Sequence, residues 1–141
     1  MIFLDIFSMT VTGDDILYVY DGGNQVLTHS DYSTVRTVDY ASDPCVLAAS
    51  AYNTANLGGI LASTSTGVVT DASWKCSTVE ETDWHLASFD DSDWGNAMIV
   101  RAQGEQPWFT TAGISSEANW IWADVATIGD ATTTYCRKRL C

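Results

Sequence analysis

The chain has 141 residues, enough for one domain that buries roughly two thirds of its unfolded surface and too few for a second independent core. Its 18 acidic and 6 basic side chains give a formal net charge of −12, and three of the six bases stand in one run, Arg137-Lys138-Arg139. Nucleic acids and anionic membrane surfaces are therefore disfavoured as partners, because both are held through Lys and Arg. Four cysteines in an acidic chain with only two lysines fit an oxidising compartment, and the expected location is extracellular. No stretch approaches the roughly 20 apolar residues of a membrane span, the first residues lack the basic flank of a signal peptide, and no Asn-x-Ser/Thr sequon is present.

In chain order, residues 2–12 form an apolar run in which Ile2, Leu4 and Ile6 alternate with Phe3, Phe7, Met9 and Val11. Both faces call for burial. At about 3.3 Å per residue such a strand reaches about 36 Å, twice the usual length, so its first part is expected to pack elsewhere. Gly13-Asp14-Asp15 reads as a turn and Ile16 to Tyr20 as a short strand, turned back by Asp21-Gly22-Gly23-Asn24 into Gln25-Val26-Leu27. Residues 34–40 alternate, with Val38 and Tyr40 on one face and Val35 on the other, as in a half-buried strand. After the Asp43-Pro44 turn, Cys45 to Tyr52 reads as a strand buried on both sides, rich in small residues. Asn53 to Ala62 loops through Gly58-Gly59, whose backbone freedom the loop is expected to need. Val68 to Cys76 leads through Trp74, and residues 97–100, 120–122 and 132–140 complete the strands, with a predicted surface loop over 104–113. No stretch of 10 to 15 residues has helical period, so the class is all-β.

The centre of the chain is Trp84-His85-Leu86-Ala87-Ser88-Phe89-Asp90-Asp91-Ser92-Asp93-Trp94, aromatic residues bracketing an acidic turn and expected to plug the end of a sandwich. An Asp-x-x-Trp-Lys strand precedes it (Asp71 to Lys75), and Trp120-Ile121-Trp122 and Tyr135-Cys136-Arg137-Lys138 follow. This order, together with the hairpin from Thr12-Gly13-Asp14-Asp15 through Tyr18-Val19-Tyr20-Asp21-Gly22, resembles the galactose-binding-like jelly-roll modules appended to glycosidases and extracellular proteins. The resemblance runs through nearly the whole chain. It implies a jelly-roll β-sandwich of two antiparallel sheets over residues 8–141, with residues 1–7 as an N-terminal strand or arm. Four cysteines allow three connectivities. The landmark strands of the resemblance favour Cys76 with Cys136, leaving Cys45 with Cys141, although Cys141 at the chain's end also suits an intermolecular bridge.

Enzyme activity is not expected. His29 and His85 lie in no nucleophile or metal spacing, and the adjacent carboxylates Asp14-Asp15 and Asp90-Asp91 read as poor acid/base couples, since neighbours on a strand face opposite ways and neighbours in a turn commonly bond backbone amides. The resemblance places a structural Ca²⁺ among the candidates, with Asp90, Asp91 and Asp93 as oxygen donors; no other cofactor is expected. Most aromatic residues fall on core landmarks, leaving Trp108 and Tyr32, in predicted loops, as candidates for stacking on a sugar. Two functions follow as expectations. One is a non-enzymatic extracellular structural module that assembles with copies of itself into a fibre or matrix through Ile2, Phe3, Leu4, Ile6 and Phe7. The other is a carbohydrate-binding module or lectin, with glycans as partners.

Overall fold

The computed structural model describes residues 6–141, and the description below concerns those residues. Eleven strands form two antiparallel sheets packed as a β-sandwich, with no helix among the described residues. The first sheet has five strands in the order β4 (Arg36–Asp39), β1 (Ser8–Asp14), β6 (Gly59–Thr64), β10 (Asn119–Trp122) and β9 (Met98–Ala102). The second has six: β3 (Asn24–His29), β2 (Ile16–Asp21), β5 (Val46–Asn53), β11 (Thr132–Arg139), β7 (Lys75–Ser77) and β8 (Gly95–Asn96). The all-β sandwich expected from the sequence is what the chain forms.

Side-chain alternation explains how the layers meet. Met9 and Val11 of β1, Ile60 and Ala62 of β6, and Ile121 of β10 point from the first sheet into the space between the layers. Leu17 and Val19 of β2, Leu47, Ala49 and Ala51 of β5, and Cys136 of β11 meet them there. The intervening residues face outward, and on both sheets a loop covers them. On the first sheet, Leu61, Trp120 and Trp122 lie under the β9–β10 loop, which contributes Trp108, Ile114 and Ala118. On the second, Ala48, Tyr20 and Tyr135 lie under the β7–β8 loop, which contributes Trp84, Phe89 and Trp94. This is why β5 is buried on both sides.

The central acidic stretch therefore does not plug an end of the sandwich; it lies across a sheet face. Trp84 stacks on Trp94 and meets Tyr20 and Tyr135 edge-on, while His85 stacks on Tyr20 and shares a 2.7 Å hydrogen bond with the Gly22 carbonyl. Arg137, fully buried, pairs with Asp91, donates to the Leu86 carbonyl at 2.7 Å and sits over the Phe89 ring. Burying two indoles removes about 150–250 Å² each, about 4–6 kcal/mol apiece at 25 cal/mol per Å². A buried ion pair loses most of its Coulombic gain to desolvation. Trp84 and Trp94 thus hold the loop down, and Arg137 fixes where it lies.

The N-terminal strand is shorter than the apolar run. β1 begins at Ser8 and continues through Gly13 and Asp14, which the sequence assigns to a turn; the bend falls on Asp15. Phe7 is 7% exposed, meets Tyr40 edge-on and accepts the Tyr40 N–H through its carbonyl, so it belongs to the chain's own core. Ile6 is 64% exposed. Ile2, Phe3 and Leu4 of the expected assembly arm lie outside the described residues. The disulfides are Cys45–Cys141 and Cys76–Cys136, the second joining residues directly opposite each other on β7 and β11. Two bridges fit an oxidising environment.

Candidate ligand-binding site

The site grows from the end of β1. Even-numbered residues of this strand face outward, so the Asp14 side chain points beneath the β9–β10 loop, where Trp108 Nε1 donates to its Oδ2 at 2.7 Å. Trp108 is held in place by stacking on Trp120, with ring centroids 4.2 Å apart. At Asp15 the strand alternation breaks, the Asp14–Asp15 peptide is cis, and the Asp15 N–H donates to the Tyr52 carbonyl at 2.8 Å. The Asp15 carboxylate accepts two hydrogen bonds from Thr54, one from its N–H at 2.8 Å and one from its hydroxyl at 2.7 Å.

The β5–β6 loop that carries Thr54 is fixed close by. Asn53 Nδ2 donates to the Asn56 carbonyl at 2.6 Å, and Asn56 adopts a left-handed backbone with φ 63°, which Asn tolerates better than most residues. Gly58 serves close approach rather than an unusual backbone angle: a Cβ there would lie 2.8 Å from the Asn53 side chain and 3.0 Å from the Asp14 carbonyl. Neither Gly58 nor Gly59 has a positive φ, which corrects the reading of that pair from sequence.

These segments and the β3–β4 loop enclose a cavity of about 240 Å³. Asp14 and Asp15 line one part of it, Tyr32 and Trp108 supply aromatic surface, and Asn56, Leu57, Ala55 and Pro107 complete the wall. No Lys, Arg or His is among the lining residues. Sites for drug-sized ligands run to about 300–1,000 Å³, so this cavity suits a single small polar unit. Its two carboxyls are hydrogen-bonded to each other and titrate apart. Burial, reinforced by that bond, pushes Asp14 up to about 7, against a lowering by the Trp108 N–H. The bond from Asp14 and those from Thr54 hold Asp15 below the usual carboxylate range. Near pH 7 Asp14 is about half protonated, and the pair holds one proton only below that.

The two stacking candidates thus meet in one cavity, although not as expected. Tyr32 is 43% exposed, whereas Trp108 is only 7% exposed: it is no open platform but a wall whose N–H is committed to Asp14. The exposed aromatic of that loop is its neighbour Phe109, at 59%. Of the two residues read as a turn, Asp14 ends β1 and Asp15 forms the bend, where its carboxylate accepts a backbone N–H, that of Thr54. Asn56 and Thr54 carried no chemical signal in the sequence beyond their loop position.

The three calcium candidates do not meet at one point: Asp90 and Asp91 line one depression together with Arg139, and Asp93 does not. Asp90 accepts the Ser92 N–H at 3.0 Å, and Asp91 is taken by Arg137. Asp93 lines a separate surface depression with Trp94, Glu81 and Asp124. No group of three or more His, Cys, Asp or Glu side chains placed to hold a metal ion occurs among the described residues.

No protein-family model matches this chain, and no curated protein matches it. Among solved structures, an α-L-rhamnosidase from Streptomyces avermitilis, crystallised with L-rhamnose, shares the fold at a TM-score of 0.52 and 14% identity. The likeness covers 95% of this chain and 20% of the rhamnosidase chain. The chain thus corresponds to about one fifth of that glycosidase and matches it as a two-sheet β-sandwich.

Proposed function

We propose that the chain is a non-enzymatic extracellular carbohydrate-binding module, a galactose-binding-like sandwich that takes one sugar unit in the cavity at the β1–β2 bend. The observation that carries this reading is the convergence, from four separate segments, of a carboxyl pair, two aromatic residues and the Asn56 loop on one small concave site. Sugars combine hydroxyl-rich edges with apolar ring faces, and such a site offers acceptors to the first and aromatic surface to the second. The shared fold with part of a glycosidase supports an appended module and recommends L-rhamnose for the first ligand panel. The two carboxyls belong to consecutive residues at one side of the cavity, and no further Asp or Glu lines it to act across a sugar from them, which supports binding over catalysis.

The test is an NMR titration of the labelled protein with L-rhamnose, galactose, glucose and their short glycans. Saturable shifts of the Tyr32, Asn56 and Trp108 indole signals are expected, weakened at least tenfold by Tyr32→Ala, about 1.4 kcal/mol. Absence of saturable shifts across the panel would refute the reading.

Self-assembly stands as a second reading. It is favoured by exposed Ile6 and by a mostly apolar surface cavity of about 430 Å³ lined by Phe7, Pro44, Val68 and Leu140, where the described chain begins. Light scattering of the full chain and of a variant lacking residues 1–5 tests it: assembly lost on deletion supports it, and a full-length monomer at high concentration refutes it.

A further inference from the structure

We infer that the sugar taken by this cavity bears an ammonium group, so that its ligand class is an amino sugar rather than a neutral or acidic one. The inference rests on the carbohydrate-binding reading and adds the charge of the ligand to it. Its ground is an imbalance of charge within the cavity. Two carboxyls stand side by side, Asp14 almost fully buried, and no Lys, Arg or His lines the same space. Buried charges in proteins are ordinarily paired. Here the hydrogen bonds from Trp108 and Thr54 are all from neutral donors, so they orient the carboxyls without neutralising them. The one ionised pair among the described residues, Arg137 with Asp91, is on the other sheet.

The protein therefore leaves the counter-charge to a proton or to a ligand. Burial pushes Asp14 up to about 7, so below that pH a proton serves. An ammonium placed against the pair supplies the same charge, with three donors for the carboxylate oxygens, and lets Asp14 ionise. Trp108 and Tyr32 add aromatic surface of the kind that attracts cations. The net charge of −12 raises the local concentration of cationic ligands and repels uronic acids. The remaining ionisable side chain on the cavity is Tyr32. The β5–β6 and β9–β10 loops contribute only Ala55, Asn56, Leu57, Pro107 and Trp108 to its wall, so the carboxyl pair alone governs binding near neutral pH.

The experiment is calorimetry on the full chain at pH 6 with three forms each of glucose and galactose: the parent sugar, the 2-amino sugar and its N-acetyl derivative. An amino sugar is expected to bind at least about tenfold more tightly than its parent and its N-acetyl form. Binding should release protons, read as an enthalpy that changes with the buffer, and should weaken with salt. Asp15→Asn, checked for folding by near-ultraviolet circular dichroism, is expected to erase the preference. Parent or N-acetyl sugars binding as tightly as the amine would overturn the inference while leaving the carbohydrate reading in place. Failure of every sugar to bind would overturn both, and tighter binding of Nα-acetyl-lysine amide than of any amino sugar would show that the ammonium comes from protein instead.

Discussion

Replacing Asp14 by Asn should make the protein more stable at neutral pH and remove most of a pH dependence that the native chain carries. Asn is the neutral isostere of a protonated Asp: its carbonyl oxygen can accept the Trp108 N–H, and its amide can donate to Asp15 as the Asp14 proton does. In the native protein, Asp14 titrates at about 7 when folded and at 3.8 when unfolded. A raised pKa means that the folded state holds the proton more tightly, so the stability this group confers is complete below pH 3.8 and is lost as pH rises through 7. The gap amounts to about 4 kcal/mol at about 1.4 kcal/mol per pH unit, an upper value because water reaching the ionised carboxylate lessens it. Urea unfolding of both proteins at pH 5, 6, 7 and 8, with disulfides intact, measures it. Because the loss begins at 3.8, the two curves should already differ by about 1.7 kcal/mol at pH 5 and separate by up to about 4 kcal/mol at pH 8, the variant being the more stable. Parallel curves for the two proteins over the whole range would refute the account of the carboxyl pair.

Three further outcomes follow from the packing. Trp94→Ala should destabilise by about 3–5 kcal/mol, because the indole is buried against Trp84 and Phe89 over the second sheet; an unchanged urea midpoint would mean that the covering loop is ornamental. Asp91→Ala should cost about 3–5 kcal/mol by leaving the fully buried Arg137 without its carboxylate, and Asp91→Ala combined with Arg137→Met should recover much of that loss in a double-mutant cycle. Alkylation of the unfolded, unreduced protein followed by mass spectrometry should find no free thiol, and reduction should cost about 2–5 kcal/mol per bridge.

Strand residues were legible because burial on one side imposes a period of two. Val38 and Tyr40 against Val35, and the small residues of β5, carry both the class and the doubly buried strand in their spacing. The covering loops were not legible, because a Trp in a polar, turn-rich segment carries no mark of which surface it will meet. From sequence, Trp84 and Trp94 suit an end plug and Trp108 a stacking residue on a surface loop. All three instead close over sheet faces whose outward residues, Ala48, Leu61 and Trp120, are too apolar to face water. A signal was present: an outward-facing position that is as apolar as an inward one predicts a cover, and the loop with surplus aromatics is the natural source.

The same reasoning explains why the site itself escaped the sequence. Alternation separates Asp14 from Asp15 only while the strand continues, and β1 ends between them. What brings their carboxyls together is a bend held from outside, by Tyr52 accepting the Asp15 N–H and by Thr54 gripping its carboxylate, both residues about 40 positions away. Trp108, more distant still, sets the depth of the cavity because the loop that covers the sheet also walls the site. Cover and binding wall are one element, so the stacking of Trp108 on Trp120 that completes the outer layer also fixes the donor to Asp14. A change that loosens that cover should therefore alter the titration of Asp14 before it unfolds the sandwich, which ties the chemistry of the cavity to the packing of the sheet beneath it.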